Sequence, residues 1–146
     1  MSRPLFIAVC DEFKKEGWDM SHPHQDTLRT VYDAFAKGDI ETVMDLFTDE
    51  IVYHISGQSP VSGVYSGKDE VLGLFGKLME GSGGTFRVEV LDILANDEHG
   101  VVLTFEWGQR SGKALENRAV HVWNFRDGKC TQFRGYNEEV WDEFWS

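Results

Sequence analysis

Four β-rich segments joined by short turns occupy the second half of this 146-residue chain. They are Phe86–Ala95, Val101–Gln109, Leu115–Phe125 and Cys130–Asn137. Ser111-Gly112 and Asp127-Gly128 are two-residue hairpin signals and Asn96–Gly100 is a longer turn, so the segments are predicted to form an antiparallel meander. A meander this apolar must be covered on one face. The first half supplies the cover. Asp26–Lys37 carries Leu28, Val31, Tyr32 and Phe35 at helical spacing and closes at Gly38. Asp39 then caps a short helix built on Ile40, Val43, Met44 and Phe47. Val71, Leu74, Phe75, Leu78 and Met79 make a further stripe, entered through a Ser66/Asp69 capping box and ended at Gly81. Between these helices, Ile51–Ser56 is rich in β-branched and aromatic residues and reads as a strand running into a Gly57–Gly63 loop.

Helices first and a curved antiparallel sheet afterwards define an α+β domain in which the sheet wraps the helices as a cone. The mouth of such a cone is the expected binding site. This domain is predicted to span residues 26–146. Residues 1–25 are read as an accessory helix, with Phe6, Val9, Cys10 and Phe13 on one face, followed by a connector that includes His22-Pro23-His24. Two imidazoles flanking a proline, with no third ligand near, imply no metal. The Gly81–Gly84 run follows a helix instead of preceding one, so it reads as a turn and no nucleotide cofactor is expected.

Charge narrows the partners. There are 14 Lys+Arg against 25 Asp+Glu, a net charge of −11, and the acids are spread along the chain. Nucleic acids and anionic membranes are therefore not expected as partners. No stretch reaches the ~20 apolar residues of a membrane span. Cys10 and Cys130 lie far apart in sequence and read as two reduced thiols, which makes the cytoplasm the expected compartment.

Several short motifs, in this order of elements, resemble the nuclear transport factor 2-like superfamily, and within it the SnoaL-like polyketide cyclases and ketosteroid isomerase-related proteins. They are Lys37-Gly38-Asp39, Leu46–His54, Gly63-Val64-Tyr65-Ser66-Gly67 and Phe125-Arg126-Asp127-Gly128-Lys129. The resemblance covers about Asp26–Tyr136 and implies a cystatin-like α+β barrel. It also implies an apolar pocket for a small carbonyl-bearing or polyketide-like ligand, and pairing of two copies through the outer face of the sheet. In the steroid isomerases, a first-strand carboxylate moves a proton while a helical Tyr and a later protonated carboxyl hold an oxyanion. Matching the motifs puts His54 at the first position, His121 near the third and Val31 where the Tyr would stand, with Tyr32 one residue away. The isomerase triad is thus not carried over.

A pair of histidines, His54 and His121, remains as the candidate proton-transfer set. Imidazole titrates at roughly pH 6.5 unperturbed, so one can accept a proton while the other donates to an oxygen gaining charge. Strand parity is read as placing Phe105 and Trp107 with Trp123 on a pocket wall; on the last strand Phe133 and Asn137 alternate with Arg134 and Tyr136, and the resemblance implies that Phe133 and Asn137 face the pocket. Val31, Tyr32 and Phe35 are expected to complete that wall from the first helix. Arg134 and Tyr136 then fall on the outer face. Glu70, Glu80, Asp92 and Glu106 show no spacing beyond that of solvated faces, and Cys130 reads as a small buried hydrophobe. Two other classes stay open: a binding or dimeric scaffold protein without turnover, and a dehydratase or hydrolase that activates water.

Overall fold

The computed structural model describes residues 21–146; the expected accessory helix lies outside them. Helix α1 spans Pro23–Ala36 and α2 Ile40–Asp45, followed by strand β1 at Phe47–Ile55 and β2 at Gly63–Ser66. Helix α3 covers Lys68–Gly81. The meander follows as β3 (Arg87–Ala95), β4 (His99–Arg110), β5 (Lys113–Arg126) and β6 (Lys129–Tyr136), and the chain ends in α4, Val140–Trp145.

The six strands form one open sheet in the order β2-β1-β6-β5-β4-β3. Every pair is antiparallel except β1 and β6, which run parallel, so the sheet is mixed and not purely antiparallel. Parallel neighbours need a long crossover, and here the whole of residues 56–128 provides it. Register shifts at Phe47/Val52, Val90/Asp92 and Asn124/Phe125 bend three of the strand pairs, as extra residues in one strand of a ladder do. The hairpins form where expected, with Ser111, Gly112, Asp127 and Gly128 all at positive φ, the conformation of a two-residue turn matched to strand twist.

Helix starts differ from the expectation in two places. Pro23 occupies the first turn of α1, and His22 caps it by accepting from the His24 backbone N–H at 3.1 Å. The supposed connector is therefore the helix start: His22 Nε2 lies 2.7 Å from Asp97, and the His24 ring stacks on Phe125 at 3.9 Å. For α3 the cap is Gly67, and Glu70 rather than Asp69 reaches back, accepting from the Ser66 N–H at 2.6 Å. Strand β1 also begins at Phe47, which thus leaves the α2 stripe, and the short strand β2 follows the Gly57–Gly63 loop.

The core lies between α1, α2 and α3 and the concave face of the sheet. Leu28, Val43, Phe47, Ile51, Val71 and Trp123 are at most 1% exposed there. α4 packs against β5, and Phe86 meets Trp141 and Trp145 at ring separations of 6.2 and 6.1 Å. Its seat depends on missing side chains. A Cβ on Gly81 would come within 2.9 Å of Trp145, and one on Gly57 would collide with the Asp142 carboxylate.

Candidate active site

A cavity of about 70 Å³ lies between α1, α3 and the concave sheet. Val31, Tyr32, Phe35, Trp123, Phe133 and Asn137, all expected at the site, line it. Val31, Tyr32 and Phe35 reach it together because a helix lying along a core presents a stripe at least 100° wide. Tyr32 therefore needs no shift of register to enter the site.

The polar centre is a chain of side chains from three elements. The Tyr32 hydroxyl lies 2.5 Å from His121 Nδ1, and His121 Nε2 lies 3.0 Å from Glu106 Oε1. Trp123 Nε1 donates to the Tyr32 oxygen at 3.1 Å. A carboxylate only accepts, so His121 carries its proton on Nε2 and leaves Nδ1 to accept from the phenol. Each bond then runs in one direction, from indole to phenol to imidazole to carboxylate. Asn117 steadies the far end, donating from Nδ2 to Glu106 Oε2 and to Asn137 Oδ1, both at 3.0 Å. The network is deeply enclosed: Glu106 is 3% exposed, His121 6% and Asn117 0%. Burial pushes the Tyr32 phenol well above its ordinary value, against the opposing pull of the Trp123 hydrogen bond. Burial likewise raises the Tyr53 phenol in the same wall.

Glu106 was read from the sequence as part of a solvated face, and that is corrected: it is the buried acid of the site. Phe105 and Trp107 are corrected with it. They stand on the outer face, their rings 4.5 Å apart, while Thr104, Glu106 and Gly108 face inward. The signal was in the hairpin. The two-residue Ser111-Gly112 turn pairs Arg110 with Lys113, so every odd-numbered β5 residue opposes an even-numbered β4 residue. Once His121 and Trp123 face the cavity, Glu106 must do so too. Hydrophobic alternation pointed the other way because Leu103, Phe105 and Trp107 make the outer face apolar.

His54 is also on the outer face, one residue from the inward-facing Tyr53, with its Nε2 3.1 Å from the Gln132 side chain. Desolvation, helped by the Arg134 charge, lowers its pKa from 6.5. The structure thus separates His54 and His121 by the thickness of the sheet and does not bring them together on one ligand. Cys130 is buried and its thiol is pushed up to about 12 by that burial, which suits a core residue and not a nucleophile. Trp141, not foreseen at the site, closes one side of the cavity.

An open curved mixed sheet around helices, with a mostly apolar cavity and one buried polar chain between the two layers, defines a cystatin-like α+β fold. The family model for the SnoaL-like domain matches residues 28–133, and the chain belongs to that family. It is 25% identical over 124 residues to an uncharacterised protein of Mycobacterium tuberculosis, covering 83% of this chain and 95% of that one. Among solved structures it is similar to Bal32a from a soil-derived mobile gene cassette, with 30% identity, a TM-score of 0.80 and coverage of 84% of this chain and 98% of the other. A Xanthomonas campestris protein of unknown function with a cystatin-like fold matches at 27% identity and TM-score 0.77, over 83% and 96% of the two chains. A SnoaL-like protein from Jannaschia shares the fold at 15% identity and TM-score 0.67, over 79% and 85% of the two chains.

Proposed function

We propose that the cavity is the active site of a cofactor-independent acid–base enzyme, an isomerase or cyclase acting in the cytoplasm on a small carbonyl-bearing or polyketide-like compound. The observation that carries this reading is the directed chain Tyr32–His121–Glu106 ending on an apolar cavity. The Tyr32 oxygen takes a proton from carbon next to the substrate carbonyl, and its own proton passes to His121 Nδ1. The imidazolium so formed lies against the Glu106 carboxylate. The C–H bonding pair becomes an enolate, and return of the proton to a different carbon or to oxygen completes an isomerisation. A positioned acid–base pair of this kind contributes roughly 10²–10⁴-fold. At 70 Å³ the cavity is smaller than the ~150 Å³ that admits benzene, so ring-sized ligands enter with a shift of the lining aromatics.

The test is hydrogen exchange at carbon. Cyclohexanone and indanone are incubated with the protein in deuterium oxide, and deuterium incorporation next to the carbonyl is followed by NMR. Exchange that exceeds a free-imidazole control and is lost in His121→Ala supports the reading. Exchange equal to the control with both ketones, despite binding, transfers the cavity to the class of binding proteins without turnover.

We also infer that two copies pair through the outer sheet face. Leu103, Val120 and Tyr136 stand in register across β4, β5 and β6 and are 39%, 38% and 52% exposed, a contiguous apolar row of the sort that marks an interface. Trp141 and Trp145 are buried in their own chain, so this pairing draws on strands and not on the tail.

A further inference from the structure

Trp141 carries an indole N–H that has no hydrogen-bond partner among the described residues, although the residue is only 4% exposed and lines the cavity. Leaving a buried donor unpaired is costly, and such groups are rare in folded proteins. The same cavity holds a satisfied polar chain at Tyr32 and His121. No lysine or arginine lines it among the described residues, and its one carboxylate, Glu106, is already bound on both oxygens. An anionic ligand would therefore lose its hydration, find no cation, and face Glu106. A neutral ligand with an acceptor oxygen meets no such penalty and supplies what the indole lacks.

We propose that Trp141 is a ligand-binding residue whose Nε1–H donates to an acceptor oxygen of a neutral ligand, at a second polar point in the cavity besides the Tyr32 hydroxyl. This rests on the reading of the cavity as a small-molecule site. It adds the ligand's charge class and the feature that selects it, a carbonyl or ether oxygen directed at α4. Trp145 is an internal control: its indole N–H is equally unpaired, but the residue does not line the cavity.

The experiment compares cyclohexanone with methylenecyclohexane, which has the same shape but no oxygen. The chain has five tryptophans, and their indole N–H resonances are followed by NMR, with Trp141→Phe removing and so assigning one of them. The expected result is that cyclohexanone moves the Trp141 resonance downfield while methylenecyclohexane leaves it in place, the Trp145 resonance being unmoved by either. Trp141→Phe should weaken cyclohexanone about five- to tenfold more than it weakens methylenecyclohexane. If both compounds bind and Trp141→Phe affects them equally, the assignment is overturned while the small-molecule reading stands. Binding of neither compound overturns both. Should Trp141→Phe not fold, the resonance is assigned in the native protein through its neighbour Phe86, and its response to cyclohexanone decides the matter.

Discussion

Tyr32 on α1 and His121 on β5 are separated by 89 positions in sequence and by 2.5 Å in the fold. The contact joins helix layer to sheet layer at the floor of the cavity, and it has both a catalytic and a structural side. Tyr32→Phe removes the proton carrier and leaves His121 Nδ1 and Trp123 Nε1 without their partner. Ketone exchange should fall by about 10²–10⁴-fold, and denaturant unfolding should show a loss of about 1–3 kcal/mol from the unpaired groups. A variant that retains full exchange would remove Tyr32 from the proton path.

His54 should behave in the opposite way. It lies across the sheet from the cavity, so His54→Gln should leave exchange intact. Its folded pKa is depressed, and the unfolded chain binds the proton first as pH falls. Its contribution is therefore fully present above its unfolded value of 6.5 and declines as pH drops through the folded value. Urea midpoints measured between roughly pH 7 and 5 should fall less steeply for His54→Gln than for the native protein. Identical slopes would show that this imidazole is not sensed by folding.

Gly57 stands at φ +106 with the Asp142 carboxylate where a Cβ would be. That carboxylate accepts from the Gln58 N–H at 3.0 and 2.9 Å, tying the loop after β1 to α4. Gly57→Ala combines backbone strain with a collision, and should cost about 1–3 kcal/mol. Detachment of α4 would expose Trp141 and Trp145, so a red shift of tryptophan emission below the unfolding transition is the expected signature. An unshifted spectrum with unchanged stability would contradict the seat described for α4.

For the outer face, Leu103→Glu sets a charge at one end of the apolar row. Sedimentation at micromolar concentration should show a dimer for the native chain and a monomer for the variant, whose unfolding midpoint no longer depends on protein concentration. A native monomer would dismiss the pairing.

Much of this was legible in the sequence, and the exceptions share a cause. The helical stripes of α1 and α3, the hairpin turns and the inward Trp123 follow from periodicity and turn chemistry, which are local, while the inward Phe133 and Asn137 follow from the family resemblance. Phe105, Trp107 and Glu106 were misplaced because polarity marks the inside of a strand only when the outside is wet, and here the outer face is apolar while the inner one holds a carboxylate. Tyr32 was left out of the resemblance-based triad because that pairing ranked single positions, whereas a helix offers neighbouring positions to the same cavity. The β1–β6 pairing had no local mark at all. It joins two strands that residues 56–128 separate in sequence, in a direction that no turn announces.

That pairing also bears on how the sheet is assembled. β6 follows the other five described strands in sequence, yet it sits between β1 and β5 in the sheet. Without Lys129–Tyr136, the β1–β2 pair and the β3–β5 meander share no ladder, and each has a bare edge facing the place that β6 fills. Contacts between distant segments are slow to form, and unpaired edges favour association with other chains. The sheet therefore becomes continuous only when β6 pairs with both neighbours, and a chain cut short before β6 is left with two half-sheets joined through the helices alone.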